Sequence, residues 1–388
     1  VHNNIGVIHY ERGQFAESLS YFQRTIQLAP NFVEAHNNLG NALKSLGRFT
    51  EALVAYERAT CLDPGFALAQ WNRSLVLLLL RRYDEGWQSY DWRFHTKEHF
   101  SRHFPYPRYG GAALTGKTLL IYAEQGIGDE VFFAGFFADA IRQAERVIID
   151  CSARLVPMFR RAFPAATVRG GDKRESPDWA AEHGPIDYVI SAGSLPRYFA
   201  HACTNQAHAR NYLSADAGQV QSWKAHLATL GAGKKIGFSW RGGATAQDRG
   251  ERRTQLLDWE PLLRSDGVKF VCLQYGDCEA ELETARKHLG IRVHRFAEVD
   301  PLRNLEDFMA LVTALDGVVT MANANAHFCG ALGIPAAVLV PYSPDFRWAA
   351  AGASVPWYPS VRLHRQTRLD SWHEVIGAVA ASLGSLGN

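Results

Sequence analysis

Residues 34 positions apart repeat one another over the first part of this chain. Asn3-Asn4-Ile5-Gly6 returns as Asn37-Asn38-Leu39-Gly40, and Leu28-Ala29-Pro30 returns as Leu62-Asp63-Pro64. A period of that length is one supersecondary unit, which buries its apolar face only by stacking on the next copy. The fullest copy runs from Val33 to Pro64, with Leu39 and Gly40 in a first helix and Ala52, Tyr56 and Ala59 in a second. Gly40 and Ala52 are small where the two helices must approach, Tyr56 fills the space between copies, and Pro64 ends the helix because it lacks an amide hydrogen. Gly47 falls at the turn between the helices, where a left-handed backbone is wanted. A third copy from Ala67 keeps Gly86 and Tyr90, but Arg73-Ser74 replaces the Leu-Gly pair. Irregular copies are expected where a stack is capped or docks on another domain. The chain opens at Val1, inside a repeat and with no leader-like segment, so the expectation is a piece of a longer protein with more repeats upstream.

The period and its small and aromatic positions resemble the tetratricopeptide repeat. Asn4, Asn38 and Asn72 are spaced by 34 and fall on the first helix of successive copies. They are expected to stack into a ladder similar to the one with which O-linked N-acetylglucosamine transferases grip a substrate's peptide backbone. A carboxamide suits that task because it both donates and accepts. The alternative is that asparagine is simply frequent at this repeat position.

At 388 residues the chain is long enough for two or three domains. With 47% hydrophobic and 21% charged residues it reads as globular, and a net charge of +2 argues against an extended nucleic-acid or membrane surface. The longest apolar run, Leu75 to Leu80, is far too short to span a bilayer. Six cysteines, at 61, 151, 203, 272, 278 and 329, include no C-x-x-C pair. That pattern argues against a structural zinc site and fits free thiols in a reducing, cytoplasmic setting.

Residues 101–116, with Pro105, Pro107, Gly110 and Gly111, read as a connector between repeats at 1–100 and the remainder of the chain. Beyond it the rhythm becomes strand-helix. Strands are expected at Thr118–Tyr122, Arg146–Asp150, Thr167–Arg169 and Tyr188–Ser191, then at Lys235–Trp240, Val268–Gln274, Arg292–His294, Gly317–Met321 and Ala336–Val340. Such alternation implies parallel sheets covered by helices. The two series, parted near Ala215–Gly233, give two Rossmann-like lobes, 117–214 and 234–388, whose loops meet at a cleft.

The first such loop is Glu124-Gln125-Gly126-Ile127-Gly128-Asp129-Glu130. Gly126 and Gly128 let backbone amides approach a ligand at a helix N-terminus, where negative charge is favoured. A dinucleotide or methyl-donor site, with Asp150 on a ribose, is the alternative, but Val131 stands where a third glycine would be. Asp129 can also serve as a plain helix cap. The second lobe carries Ser239-Trp240-Arg241-Gly242-Gly243 with Arg249, Arg252 and Arg253 behind it, a pattern suited to a diphosphate or, for the later arginines, to an exposed basic loop. Asn323, Asn325 and His327 lead into a helix through Gly330 and Gly333. Polar side chains and amides at that helix start can hold ribose and phosphates, although His327 alone can equally be a core histidine.

From Ile121 onward the chain resembles bacterial tetratricopeptide-repeat glycosyltransferases with a heptosyltransferase-like (glycosyltransferase family 9) catalytic part. The resemblance rests on Glu124–Glu130, Gly237–Gly243, Leu273–Asp277, Ala326–Pro335, Asp345–Trp348 and Pro356–Gln366, in order. It implies a tetratricopeptide-repeat α-solenoid followed by a GT-B glycosyltransferase of two Rossmann-like lobes, acceptor side first and nucleotide-sugar side second. It implies a nucleoside-diphosphate sugar as co-substrate, no metal and no other cofactor. Asp129 is the implied base, with Glu130 as its alternative. Trp240, Arg241, Gly242, Arg253, Gln274, Asn323, Asn325, His327 and Gly330 fall on the donor side with Gly126 and Gly128. Asp345, Arg347, Trp348, Trp357, Tyr358 and Arg365 are expected either to line the cleft, with an aromatic stacked on the base, or to serve as structural packing of a Pro-rich loop, and a final helix near Ser371–Leu383 to cross back to the first lobe. In one place the sequence departs from the family: Ala322 replaces an aspartate, and Asn323 or Asn325 is the candidate to stand in for it.

The leading reading is a transferase that glycosylates a polypeptide held by Asn4, Asn38 and Asn72, with surface proteins such as flagellin or an adhesin as implied acceptors. The alternatives are a repeat scaffold whose transferase lobe is inactive, and a transferase for a lipid-linked or saccharide acceptor. Neither nucleic acid nor membrane insertion is expected.

Overall fold

Where a glycine has no Cβ, an aromatic ring lies against the backbone, and this sets the geometry of the first two repeats. A Cβ on Gly6 would sit 2.6 Å from Phe22 Cε1, and one on Gly40 would sit 2.5 Å from Tyr56 Cε1. The computed structural model describes residues 1–97, 102–199, 211–242, 254–369 and 371–386. The chain divides into two compact units, Val1–Ser101 with Tyr342–Gly352, and Arg102–Pro341 with Ala353–Asn388.

The first unit holds three helix pairs: α1 (His2–Glu11) with α2 (Phe15–Leu28), α3 (Val33–Ser45) with α4 (Phe49–Leu62), and α5 (Ala67–Leu79) with α6 (Tyr83–Ser89). Ser18, Ala52 and Gly86 are the equivalent small residues of the second helices, and a Cβ on Gly86 would strike Leu78 at 2.6 Å. The third pair is irregular for a physical reason. Ser74 stands where Gly6 and Gly40 stand, so an aromatic from the second helix cannot lie flat against it. Helix α6 stops after seven residues, and Tyr90, the equivalent of Phe22 and Tyr56, opens a 3-10 turn over Tyr90–His95.

Tyr90 and Trp87 pack instead against Phe346, with ring centroids at 5.7 and 5.6 Å. Phe346 belongs to the segment Tyr342–Gly352, which straps the repeats. Ser343 Oγ donates to Lys44 O at 2.9 Å, and Ala350 N donates to Leu79 O at 2.8 Å. The glycines at the helix-pair turns, Gly13 and Gly47, have φ of +76° and +71°, and the third turn has Arg81 in the same left-handed conformation at φ 64°. A side chain there costs about 1–2 kcal/mol, and it is retained with its guanidinium donating to Ala351 O of the strap at 3.1 Å.

Among the described residues the second unit has two parallel sheets. In the first lobe the strand order is β3-β2-β1-β4, with β1 (Thr118–Tyr122), β2 (Arg146–Cys151), β3 (Thr167–Gly170) and β4 (Tyr188–Ser191). In the second the order is β6-β5-β7-β8-β9, with β5 (Lys234–Ser239), β6 (Val268–Cys272), β7 (Gly317–Met321), β8 (Ala336–Val340) and β9 (Val361–Arg365). Both orders reverse beside the first strand of the lobe, between β1 and β4 and between β5 and β7. Those reversals are where open sheets of this kind bind ligands.

Several expectations from the sequence are revised. From Arg102 onward the supposed connector is part of the first lobe: Tyr109 N donates to Val189 O at 2.8 Å, and Arg102 reaches the buried Asp150 at 2.5 Å. Arg292–His294 forms only a single bridge, between His294 and Val271, while β9 adds a strand beyond those expected. The last helix, His373–Ser382, buries Val375, Ile376 and Val379 in the core of the second lobe rather than crossing back. Asp345, Arg347 and Trp348 lie in the connection between β8 and β9, within the segment Tyr342–Gly352 that packs with the repeats.

The strained turn gives a direct test. Arg81→Gly relieves the backbone and loses the strap bond, whereas Arg81→Ala loses the bond and keeps the strain. In denaturant titration of the whole chain the alanine variant should be the less stable of the two by about 1 kcal/mol. An alanine variant as stable as the glycine variant would contradict this account of the turn.

Candidate functional site

In the first lobe, Gly126 precedes a helix, α7 (Ile127–Ala134), and the third residue of that helix, Asp129, turns its carboxylate back to accept the Gly126 N–H at 3.0 Å. The bond satisfies an amide that the helix itself leaves without an acceptor, and the acid is favoured there by the helix dipole. Gly126 is exposed and Asp129 half-buried. Glu130 is placed differently. It is only 4% exposed, accepts Ser152 N–H at 2.8 Å and pairs with Lys173 Nζ at 2.7 Å. Burial pushes its carboxyl above the usual range against the opposing pull of Lys173 and the Ser152 N–H. Glu130 thus braces the loop, with Lys173 also donating to Gln125 O. Asp129 is the accessible acid of the two.

Asp150 does not have the role weighed for it on a ribose. Its two carboxylate oxygens accept from Arg102 at 2.5 Å and Arg169 at 2.9 Å, and the group is 2% exposed.

In the second lobe the ends of β5 and β7 are joined by a buried polar knot. Ser239 Oγ and Thr320 Oγ1 lie 2.6 Å apart. Asn323 Nδ2 donates to Ser239 Oγ and to Arg241 O, both at 3.2 Å, while its Oδ1 accepts Thr320 Oγ1–H at 3.1 Å and Asn325 N–H at 2.9 Å. All the polar capacity of that carboxamide is engaged, so Asn323 caps the helix Ala324–Leu332 and has none over for a ribose. Asn325 Nδ2 donates to Ser239 Oγ at 3.0 Å and Leu273 O at 3.1 Å, and its carbonyl oxygen accepts no bond among the described residues. Ala322, where the resemblance expects an acid, is buried with its N–H on Leu339 O at 3.0 Å.

Gln274 Oε1 accepts both Trp240 N–H and Arg241 N–H at 3.1 Å, holding the turn after β5. Trp240 is fully buried, and its indole donates to Glu281 at 2.9 Å, so it is a core residue and not a ligand contact. Arg241 Nη2 donates to Glu281 Oε2 at 2.7 Å and to Asp277 O at 2.8 Å. Gly242 is required because a Cβ there would lie 2.7 Å from that of Asn323. Gly330 lies within the helix, where a Cβ would strike the Tyr358 ring at 2.3 Å, and its role is packing. Arg253, with Gly243, Arg249 and Arg252, lies outside the described residues.

The two lobes meet at these loops. A Cβ on Gly128 would lie 3.2 Å from His327 Cδ2 and 3.3 Å from Ala324 Cα, so the glycine loop abuts the start of the helix Ala324–Leu332. His327 Nδ1 is 3.0 Å from Tyr358 Oη, and Phe132 of α7 packs on both His327 and Trp357. Tyr212 ties the two helices, its N–H on Ala331 O at 3.1 Å and its hydroxyl on Val131 O at 2.7 Å.

Beside this junction a cavity of about 330 Å³ opens at the carboxyl end of β6, lined by Gln274, Tyr275, Asp277, Arg295, Phe296 and Asp300 among others. Arg154 of the first lobe donates to Pro301 O in its wall at 3.1 Å. Of these residues only the Leu273–Asp277 stretch had a sequence signal. Arg295 and Phe296 follow no motif and are recruited by the fold. Among the described residues no group of three or more His, Cys, Asp or Glu is placed to hold a metal ion.

On the repeats the asparagines are linked to one another rather than standing apart. Asn38 Nδ2 donates to Asn3 Oδ1 at 3.1 Å, and Asn72 Nδ2 donates to Asn37 Oδ1 at 3.0 Å and Asn41 Oδ1 at 3.3 Å. Asn4 is exposed.

Fold and site define a protein of tetratricopeptide repeats joined to a two-lobed α/β domain of the GT-B kind. Residues 33–66 match the tetratricopeptide repeat family, and residues 6–47 match a TPR repeat family. Among solved structures, the glycosyl transferase family 9 protein from Veillonella parvula DSM 2008 superposes with a TM-score of 0.51 at 12% identity, over 70% of this chain and 93% of that one. That likeness is one of fold. Among curated proteins, the chain is 33% identical over 312 residues to Protein FlbA of Caulobacter vibrioides (strain ATCC 19089 / CIP 103742 / CB 15), covering 77% of this chain and 52% of that relative. The chain therefore spans about half the length of the curated relative it matches.

Glu130 supplies a pH test. Its folded-state pKa is raised, so its contribution to stability is fully present below the unfolded value of about 4.3 and is lost as pH rises through the folded value. Glu130→Gln keeps an acceptor for Ser152 N–H and removes the titration. The stability difference, variant minus wild type, should therefore grow between about pH 4 and pH 7. A difference that is flat or falls over that range would contradict the assignment.

Proposed function

We propose that the chain is a glycosyltransferase that moves a sugar from a nucleoside-diphosphate sugar to a hydroxyl of a polypeptide held by the repeats. The observation that carries this is the meeting of the Gly126–Glu130 loop with the start of the helix Ala324–Leu332, at the reversal points of two parallel sheets and beside a cavity of about 330 Å³. The arrangement suits direct displacement. The acceptor oxygen attacks the anomeric carbon, the bond from that carbon to the diphosphate breaks, and the acceptor proton passes to the Asp129 carboxylate. Charge gathers on the leaving diphosphate, where the amides at the helix start and the Arg241 guanidinium, once exchanged from Glu281, oppose it. The cavity is of a size to take the nucleoside, with Tyr275 and Phe296 in its wall for the base and Gln274, Asp277, Arg295 and Asp300 for polar groups.

The asparagine network of the repeats supports a polypeptide as acceptor. Each carboxamide has two N–H donors and a carbonyl with two lone pairs, so bonds to Asn3 and to the buried Asn37 orient Asn38 and Asn72 while leaving these half-buried groups capacity for a peptide backbone. Among the described residues no helix is long and apolar enough to cross a membrane. A second reading, a repeat scaffold with an inactive transferase domain, is favoured by Ala322 and by the full engagement of Asn323 within the protein.

One assay separates them: sugar transfer to a co-expressed acceptor protein, read by intact mass. Asp129→Ala should lower turnover by about a hundredfold or more. Asn38→Ala combined with Asn72→Ala should raise KM for the acceptor while sparing kcat. Transfer that persists in full in Asp129→Ala would refute the base assignment, and absence of transfer by the parent chain would favour the scaffold.

A further inference from the structure

Two cysteines that the sequence leaves apart are brought together at the rim of the cavity. Cys272 is the last residue of β6 and Cys278 is the residue before the helix Glu279–Leu289, and their sulfurs lie 3.8 Å apart. The five residues between them form the loop that carries Gln274, the shared acceptor for the Trp240 and Arg241 amides, and Asp277, whose carbonyl accepts from Arg241. Cys272 itself lines the cavity, with the Cys278 sulfur 3.8 Å from its own, although both side chains are buried from bulk water.

We propose that Cys272 and Cys278 form a reversible thiol–disulfide site whose oxidation by a peroxide rearranges the Leu273–Asp277 loop. The two sulfurs divide the work. Cys278 stands just before a helix of eleven residues with its sulfur in hydrogen-bond contact with Cys272, and that contact together with the Arg295 and Arg241 guanidiniums holds its thiol below the ordinary value against burial and the Glu281 carboxylate. The same contact and burial push Cys272 up. Cys278 is therefore the nucleophile. Its thiolate attacks one peroxide oxygen, the O–O bond breaks, and hydroxide leaves and takes up a proton, giving a sulfenic acid at Cys278. Cys272 sulfur then attacks that sulfur and displaces the hydroxyl as water with the Cys272 proton. The two thiols lose two electrons in all, and the peroxide becomes two waters. A dithiol reductant reverses the change.

Closure requires the sulfurs to approach from 3.8 Å to about 2.0 Å. The loop can yield because Gly276 already sits at φ +77° with nothing near its missing side chain, and because Tyr275 is exposed. The strand end and the helix start are anchored on either side, by Cys272 N–H on His294 O and by Leu282 N–H on Cys278 O. The displacement therefore falls on residues 273–277, and Gln274 moves off the two amides it bonds.

The test uses the whole chain, reduced and then treated with hydrogen peroxide, with free thiols capped before digestion and peptide mapping. A Cys272–Cys278 cross-linked peptide that disappears on dithiothreitol treatment is the expected result. In hydrogen–deuterium exchange of the same samples, the Trp240 and Arg241 amides should exchange at least about tenfold faster in the oxidised form and recover on reduction. In Cys272→Ser, dimedone should label Cys278 as the sulfenic acid that cannot be resolved. The proposal is overturned if peroxide leaves both thiols capped, if it takes Cys278 to sulfinic acid without the cross-link, or if the cross-linked form exchanges at Trp240 and Arg241 as the reduced form does. All three readouts are independent of sugar transfer, so an inactive transferase leaves this test intact.

Discussion

The architecture of the α/β unit depends on the bare backbone of Gly128 lying against the start of the helix Ala324–Leu332. A methyl group there would meet His327 and Ala324 at 3.2 and 3.3 Å, closer than side chains ordinarily approach. That contact sets the spacing of the lobes, and with it the place of Asp129, the next residue along the chain. Phe132 locks it from one side by packing on His327 and Trp357, and Tyr212 from the other by bonding both helices. Neither helix end is buried without partners. Asp129 caps one and Asn323 caps the other, so each lobe brings a preorganised helix start to the same place.

Much of the fold was legible because it is local. The 34-residue spacing of Gly6 and Gly40 with Phe22 and Tyr56 is a packing rule written into the sequence, and among the described residues eight of the nine strands fall where the strand-helix rhythm of the sequence placed them. What was not legible depends on distant partners. Ser74 marks the third repeat as irregular, but nothing in its neighbourhood says that Phe346, more than 250 residues on, fills the gap. Arg81 takes a glycine's backbone conformation in the presence of that same strap. The final helix is apolar along one face, and the face alone does not say which lobe will bury it.

The site divides in the same way. The motifs located the loops, since glycines and polar residues after a strand mark a turn that faces a ligand cleft. They did not give each residue's task. Trp240 is core, Asn323 is a helix cap, Glu130 is a brace and Gly330 admits Tyr358, all because of bonds or contacts to residues far along the chain. Arg241 is tied to Glu281 and Asp277, so its charge is balanced within the protein. The departure at Ala322 bears on the same region, where the neighbouring carboxamide is taken up by Ser239, Thr320 and Arg241.

The central claim is that the second lobe holds a nucleotide at this helix start and in the adjoining cavity. It is tested most directly by calorimetric titration of the purified chain with UDP, GDP, ADP, CDP and CMP, with Arg241→Ala beside it. The account predicts that one of these nucleotides binds in preference to the others and that Arg241→Ala weakens it by about tenfold or more, the effect of one charge-assisted hydrogen bond. Failure of all five to bind the parent chain at millimolar concentration, or binding that Arg241→Ala leaves unchanged, would contradict it.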